Sequence, residues 1–274
     1  MATSYPQFVL LGDSLFNNCI EIQDGFSLQA KLQQLCARRM DVINRGCGGY
    51  NTRNLLTYID HVFPPASASS PKIKYLECNR LPMAKALLIG ANDAVLPYSP
   101  TSQHVPIDEY KENLVKIINH PRIKEDKPKI LLVTPPPVDE LKHAILDREG
   151  GYPSTRRTSA TTASYAEKVR EVVRENPGVV LIDLWKAIMD EAIAMAKDDY
   201  QPDGPWLGCP ENGKSGGLDT LLPDALHMNG HAYEVFYETI RPHIEKEWEG
   251  LPLDSGFVYP HWSSIFGPQA EAKS

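Results

Sequence analysis

Phe8-Val9-Leu10-Leu11-Gly12-Asp13-Ser14 is a short apolar run that stops in a polar turn. Apolar residues in so brief a run, bounded by Gly-Asp-Ser, read as a buried strand with its carboxyl end at the turn. The same pattern recurs downstream. Asp41-Val-Ile-Asn44 is followed by Gly46-Cys-Gly-Gly49, and Ala84-Lys-Ala-Leu-Leu-Ile89 by Gly90-Ala-Asn-Asp93. Lys129-Ile-Leu-Leu-Val133 is stopped by Pro135-Pro-Pro137, and Val179-Val-Leu-Ile-Asp183 completes the set.

Between these runs the apolar period lengthens to that of a helix. Ser27 is placed to cap a helix over 27–40, with Leu28, Leu32 and Leu35 on one face. Further helices are expected over 55–63, 107–120, 162–175, 186–197 and 230–248. Nearly continuous apolar strands alternating with helices belong to a parallel sheet covered on both faces. The expected fold is a three-layer αβα sandwich on a five-stranded parallel sheet, flavodoxin-like in topology.

The 274 residues are read as one domain, 1–274, with insertions near 64–82 and 201–217. The second insertion stands just before Asp224, where it could cover a pocket. In the tail, 250–274, Phe257, Tyr259, Trp262 and Phe266 argue that it packs on something, and a homodimer contact there is left open.

Composition removes several classes. The formal net charge is −7, and no Lys/Arg run with interleaved aromatics occurs, which disfavours nucleic acid as a partner. Cys19, Cys36, Cys47, Cys78 and Cys209 are odd in number and lack CxxC spacing, so neither a disulfide framework nor a zinc site is indicated. No sequon, basic leader or span-length apolar stretch appears. A reducing, cytoplasmic setting is the expectation.

In an open parallel sheet, ligands bind beyond the carboxyl ends of the strands. Four polar clusters fall at or near that edge: Gly12-Asp13-Ser14, Gly46–Gly49, Gly90-Ala91-Asn92 and Asp224-Ala225-Leu226-His227. A serine hydroxyl becomes a useful nucleophile when a neutral imidazole takes its proton. A carboxylate on the other ring nitrogen fixes the tautomer. Asp224 and His227 are three apart, which on one helical turn puts both on the same side. The oxyanion of an acyl-transfer reaction needs converging donors. The N–H groups of Ser14 and Gly49 and the side-chain amide of Asn92 could supply them.

These blocks, in this order, resemble the SGNH hydrolases, also called the GDSL family. The resemblance covers residues 8–233 and rests on Gly12-Asp-Ser-Leu15, Asn44-Arg-Gly-Cys-Gly-Gly49, Gly90-Ala-Asn-Asp93 and Asp224-Ala-Leu-His227. It implies Ser14 as nucleophile, Gly49 and Asn92 as oxyanion donors, His227 as general base and Asp224 as its orienting partner, with no cofactor and no metal. Asn44-Arg45-Gly46, Gly49-Tyr50 and Gly90-Ala-Asn-Asp-Ala94 look most like the isoamyl acetate-hydrolysing esterase branch, which implies short-chain acyl esters, acetates among them. Carbohydrate O-deacetylation and lipase or thioesterase chemistry use the same machinery and stay open.

Each feature also has a plainer reading. Taken alone, Ser14 reads as a helix cap, Asn92 as an Asx-turn residue, and Gly46 and Gly48 as ordinary turn glycines. Asp13 is expected to brace the Ser14 loop, and Asp93 to act as a structural hydrogen-bonding residue. Asp224, His227 and His231 stand at i, i+3 and i+7, a metal-ligand spacing that would make the protein a metal-dependent hydrolase. Asn229-Gly230 interrupts that face, however, and should turn His231 elsewhere. His61, His104, His120, His143, His243 and His261 are read as lone surface or loop residues. A non-catalytic, flavodoxin-like ligand-binding module is the remaining alternative, although no Gly-x-Gly-x-x-Gly or phosphate-loop lysine supports it.

Overall fold

The computed structural model describes residues 6–63, 84–124 and 127–245. The whole of the first insertion and the whole tail, with Cys78, His261 and the four tail aromatics, lie outside the described residues.

Five strands form one parallel sheet: β1 (Gln7–Gly12), β2 (Asp41–Gly46), β3 (Ala84–Leu88), β4 (Lys129–Val133) and β5 (Val179–Ile182). Their order is β2-β1-β3-β4-β5, the flavodoxin-like order, so the chain steps one way from β1 to β2 and returns to lay β3 on the other side. That reversal opens a crevice beyond the carboxyl ends of β1 and β3.

Alternation along the strands sorts side chains into two cores. Phe8, Leu10, Ala86, Leu88, Leu131 and Val133 face one core. It is closed by α1 (Ser14–Asn17), α2 (Leu28–Leu35), α8 (Leu184–Met195) and α10 (Gly230–Glu245). Leu11, Leu87, Ile130 and Leu132 face the other. It is closed by α3 (Thr52–Val62), α4 (Ile107–Ile118), α5 (Pro121–Lys124) and α7 (Ser159–Glu175). Burial on both faces explains why the strands read as unbroken apolar runs.

The helix boundaries differ from the expected ones for local reasons. Ser27 does cap α2, its Oγ accepting from Ala30 N, but the helix stops at Leu35, and Arg38 beyond it has φ +66°. α3 and α7 begin three residues before their first expected residues, at caps formed by Asn51 and Thr158. β5 ends at Ile182, because the Asp183 side chain turns to cap α8 by accepting from Lys186 N.

Besides α5, two further helices were not expected. α6 (Glu140–Glu149) carries few periodic apolar residues, and α9 (Leu218–Leu221) is a single turn. The second insertion is clasped to α6 and α8. Gly208 O accepts from Leu141 N at 3.2 Å, Gly217 N donates to Ala192 O at 3.2 Å, and Trp206 packs edge-on against Trp185.

Candidate active site

Asp13 is the N-cap of α1, its Oδ1 accepting from Leu15 N at 2.9 Å, and this turn sets Ser14 at the helix start. Gly12 permits the turn, since a Cβ there would meet Leu88 O at 1.9 Å. As the first residue of α1, Ser14 has an N–H with no intrahelical acceptor.

Ser14 Oγ lies 2.8 Å from His227 Nε2, across 213 residues of sequence. On the other side of the ring, His227 Nδ1 is 2.6 Å from Asp224 Oδ2. The Nδ1–H therefore donates to the carboxylate, leaving Nε2 to accept the serine proton. The hydrogen bond to Asp224 holds His227 above the usual histidine value. Burial would raise the Asp224 carboxyl, yet hydrogen bonds from the His227 ring and backbone outweigh it and bring the group to about 2.

The expected route to this pairing is corrected. Residues 224–227 form a turn outside any helix. Asp224 Oδ1 accepts from Leu226 N at 3.0 Å and from His227 N at 2.7 Å, an Asx turn with Ala225 at φ +71°. The two side chains still share a side, because the carboxylate wraps the turn. His231 points instead to Glu191, 3.0 Å from its Oε1, so Asp224, His227 and His231 do not converge. No cluster of metal-capable side chains occurs among the described residues.

The donor side comes from two loops. Gly49, after β2, has φ +79°, a conformation that favours glycine. Asn92, after β3, is buried, and its Nδ2 donates one hydrogen to Tyr50 O at 2.9 Å. Beneath this loop, Asp93 accepts from Thr52 N and Thr52 Oγ1, and Asn113 donates to that hydroxyl, so Asp93 is structural as expected. Gly46 is more than a turn glycine: a Cβ there would lie 2.2 Å from Asn17 N, so its bareness lets β2 approach α1.

Burial pushes the Asp13 carboxyl up to about 6 and the Asp93 carboxyl up to about 7. Asp13 Oδ2 has no hydrogen-bond partner among the described residues, which accounts for part of that cost.

Ser14, Gly49, Asn92, Asp224 and His227 all line one cavity of about 300 Å³. Leu226 and three side chains not given a site role from the sequence, His143, Arg156 and Arg157, complete its wall. His143 is corrected from a lone surface or loop residue to a buried one on α6, its Nδ1 bonded to Asp147 Oδ2 at 2.9 Å. Arg157 is buried, donating to Ala91 O and, at 3.3 Å, to Asn92 Oδ1. With its oxygen so engaged, the Asn92 amide must present its nitrogen to Tyr50 and the cavity. Arg156 donates from Nε to Asp147 Oδ1 at 2.7 Å and stacks on the Tyr152 ring. No residue of the 201–217 insertion lines this cavity, so its expected role as a cover is not met. The only sequence signal for the arginine wall was the Arg156-Arg157 pair just before the Thr158 cap.

Chemically, the assembly offers a hydroxyl with a base, a base with an orienting carboxylate, and two donor loops facing them. Comparisons with known proteins give the family and the fold. The model of the GDSL-like lipase/acylhydrolase family matches residues 10–235. A GDSL esterase/lipase of Arabidopsis thaliana is 35% identical over 245 residues, covering 88% of this chain and 86% of the relative. The isoamyl acetate-hydrolyzing esterase 1 homolog of Bos taurus is 27% identical over 262 residues, covering 95% of this chain and 88% of that protein. Among solved structures, an acetylxylan esterase from Geobacillus stearothermophilus superposes with a TM-score of 0.56 at 17% identity, over 92% of this chain and 98% of that one, a likeness of fold.

Proposed function

This chain belongs to the GDSL-like lipase/acylhydrolase family, and from that premise we propose that it hydrolyses small, short-chain carboxylic esters through an acyl-enzyme on Ser14. The observation that carries the reading is the continuous path from Asp224 Oδ2 through the His227 ring to Ser14 Oγ, with contacts of 2.6 and 2.8 Å.

Ser14 Oγ attacks the ester carbonyl carbon while its proton passes to His227 Nε2. The carbonyl oxygen becomes an oxyanion, held by the N–H groups of Ser14 and Gly49 and by the free hydrogen of the Asn92 amide. The bond to the leaving alcohol then breaks, and His227 returns the proton to that oxygen. Water attacks the acyl-enzyme with its proton going to His227. Collapse releases the carboxylic acid and restores the Ser14 hydroxyl. The sequence requires no cofactor.

Chain length follows from the lining. Leu226 is the single aliphatic side chain of two or more carbons among the described residues that line the cavity. Such a wall offers little apolar surface to a long acyl tail, which favours acetyl and other short acyl groups. Discrimination per methylene is modest, about 1–3 kcal/mol, so neighbouring lengths are accepted in falling order. The names of the relatives, an isoamyl acetate-hydrolyzing esterase homolog among them, are in keeping with this range.

The test is hydrolysis of p-nitrophenyl esters from acetate to octanoate by wild type and Ser14→Ala, with and without EDTA. Short esters should turn over best, Ser14→Ala should lose a factor on the order of 10⁶ in kcat, and EDTA should change nothing. Activity that survives Ser14→Ala would overturn the reading.

A further inference from the structure

Two arginines, Arg156 and Arg157, line the cavity that Ser14 and His227 share, in a protein whose net charge is −7. The two arginines differ in what they leave unused. Arg157 is buried, and each of its terminal nitrogens is engaged, one by Ala91 O and the other by Asn92 Oδ1. Arg156 is tethered from one side only. Its Nε donates to Asp147 Oδ1 at 2.7 Å, its backbone N–H to Asp147 Oδ2 at 2.7 Å, and its guanidinium lies 4.0 Å from the Tyr152 ring centroid. The end-on edge formed by its two terminal nitrogens takes no partner among the described residues. That edge is the fork that matches a carboxylate in two parallel hydrogen bonds.

The tether itself is preorganised. Asp147 is buried, and it also bonds the His143 ring on the same cavity wall. A fixed guanidinium loses little side-chain freedom when it engages a ligand, whereas a floppy surface arginine would lose much more. It also shares one cavity of about 300 Å³ with Ser14 and His227. A charge there acts on the substrate being processed.

We propose that Arg156 is a specificity-determining residue and that the preferred substrates are esters carrying a carboxylate within reach of the Ser14 carbonyl site. The inference rests on Ser14 being the acylated residue. Arg156 binds the charged group end-on. Arg157, one residue along, adds a second positive charge behind the Asn92 amide. The surface as a whole repels anions weakly, so the selection is local and is strongest once the substrate has entered.

Three p-nitrophenol esters test this: p-nitrophenyl acetate, mono-p-nitrophenyl succinate with the carboxylate on the acyl side, and 3-carboxy-4-nitrophenyl acetate with it on the leaving group. Each kcat/KM is divided by the ester's hydroxide-catalysed rate. Wild type should favour at least one charged ester over the acetate by roughly tenfold or more, the worth of one charge-assisted pair. Arg156→Gln should reduce that ratio by about the same factor, mainly through KM, with Arg156→Lys in between. Which charged ester responds assigns the carboxylate to the acyl or the leaving side. A wild type without charge preference, or an Arg156→Gln enzyme that retains it, overturns the proposal. Equal losses on all three esters would mark Arg156 as merely structural and overturn it too.

Calorimetric titration of the Ser14→Ala protein with succinate and with 5-hydroxy-2-nitrobenzoate reads the same contact without turnover. Binding weakened about tenfold by adding Arg156→Gln supports the site even if no ester is hydrolysed. Equal affinities, or none, count against it. If no ester turns over while this binding persists, the esterase reading fails and the anion site stands.

Discussion

Asp224 holds His227 at two points: Oδ1 takes the backbone N–H at 2.7 Å, and Oδ2 takes the ring Nδ1–H at 2.6 Å. One carboxylate thus fixes both the turn and the tautomer of the residue that faces Ser14.

Asp224→Asn separates these two duties. Asparagine keeps an oxygen for the backbone N–H and loses the charge that favours imidazolium. Asp224 raises the His227 pKa, and only neutral His227 accepts the serine proton. The acid limb of the wild-type kcat/KM profile should therefore stand above the usual histidine value, and in Asp224→Asn it should move to lower pH. The plateau should fall by roughly 10²–10⁴. A pH profile of both enzymes on p-nitrophenyl acetate checks it, and an acid limb that stays in place would contradict the assignment.

Arg157 should act through Asn92. Removing an oxyanion-hole donor typically costs about 10²–10³ in kcat, the range expected for Asn92→Ala. Arg157→Lys keeps a charge but cannot hold Ala91 O and Asn92 Oδ1 together. It should lose roughly tenfold to a hundredfold in kcat with a smaller change in KM. In Asn92→Ala the same lysine substitution should cost much less, because its object is gone. Full additivity of the two effects would show that Arg157 works elsewhere.

Two buried carboxyls make a prediction about stability. In the folded protein Asp13 titrates at about 6 and Asp93 at about 7, against 3.8 for the free group. A carboxyl raised by folding contributes stability that is full below its unfolded value and is lost as pH rises through its folded value. From pH 4 to pH 7 these groups therefore push stability down, by about 1.4 kcal/mol for each unit of difference. Asp13→Asn removes one of them and keeps an acceptor for Leu15 N–H. The melting temperature of wild type minus that of Asp13→Asn should decrease steadily from pH 4 to pH 7. A constant difference would mean that Asp13 has its ordinary pKa.

Gly46→Ala should be costly. Its new methyl carbon would fall 2.2 Å from Asn17 N and 2.6 Å from Phe16 C, both of them backbone atoms. Chemical denaturation should show a loss of more than about 2 kcal/mol. Gly48→Ala, with nothing within 4 Å of its Cβ, is the control and should stay within about 1 kcal/mol. Equal effects would refute the close approach of β2 to α1.

The strands were legible because burial on both faces leaves an unbroken apolar run, and the turns after β1, β2 and β3 carry their chemistry in adjacent residues. Ser14, Gly49 and Asn92 could therefore be placed at the sheet edge by position, and the resemblance supplied their roles. Asp224 and His227 were paired by spacing, although the turn that joins them is an Asx turn and not a helix. The cationic wall was not legible. α6 has only a weak apolar stripe, and its buried residues are His143 and Asp147. What gives Arg156 and Arg157 their meaning is contact with Asp147 and Asn92, and the second of these is 65 residues away.

The tethered Arg156 has an evolutionary consequence. The groups proposed to break and form bonds sit on turns bound to the sheet and to α10, whereas the two arginines are carried by the connector between α6 and α7. A change at Arg156 can therefore alter which ester is taken without touching Ser14, Asp224 or His227, provided Arg157 stays to hold Asn92. Divergence of diet, in such a scaffold, needs only a short stretch of chain to drift.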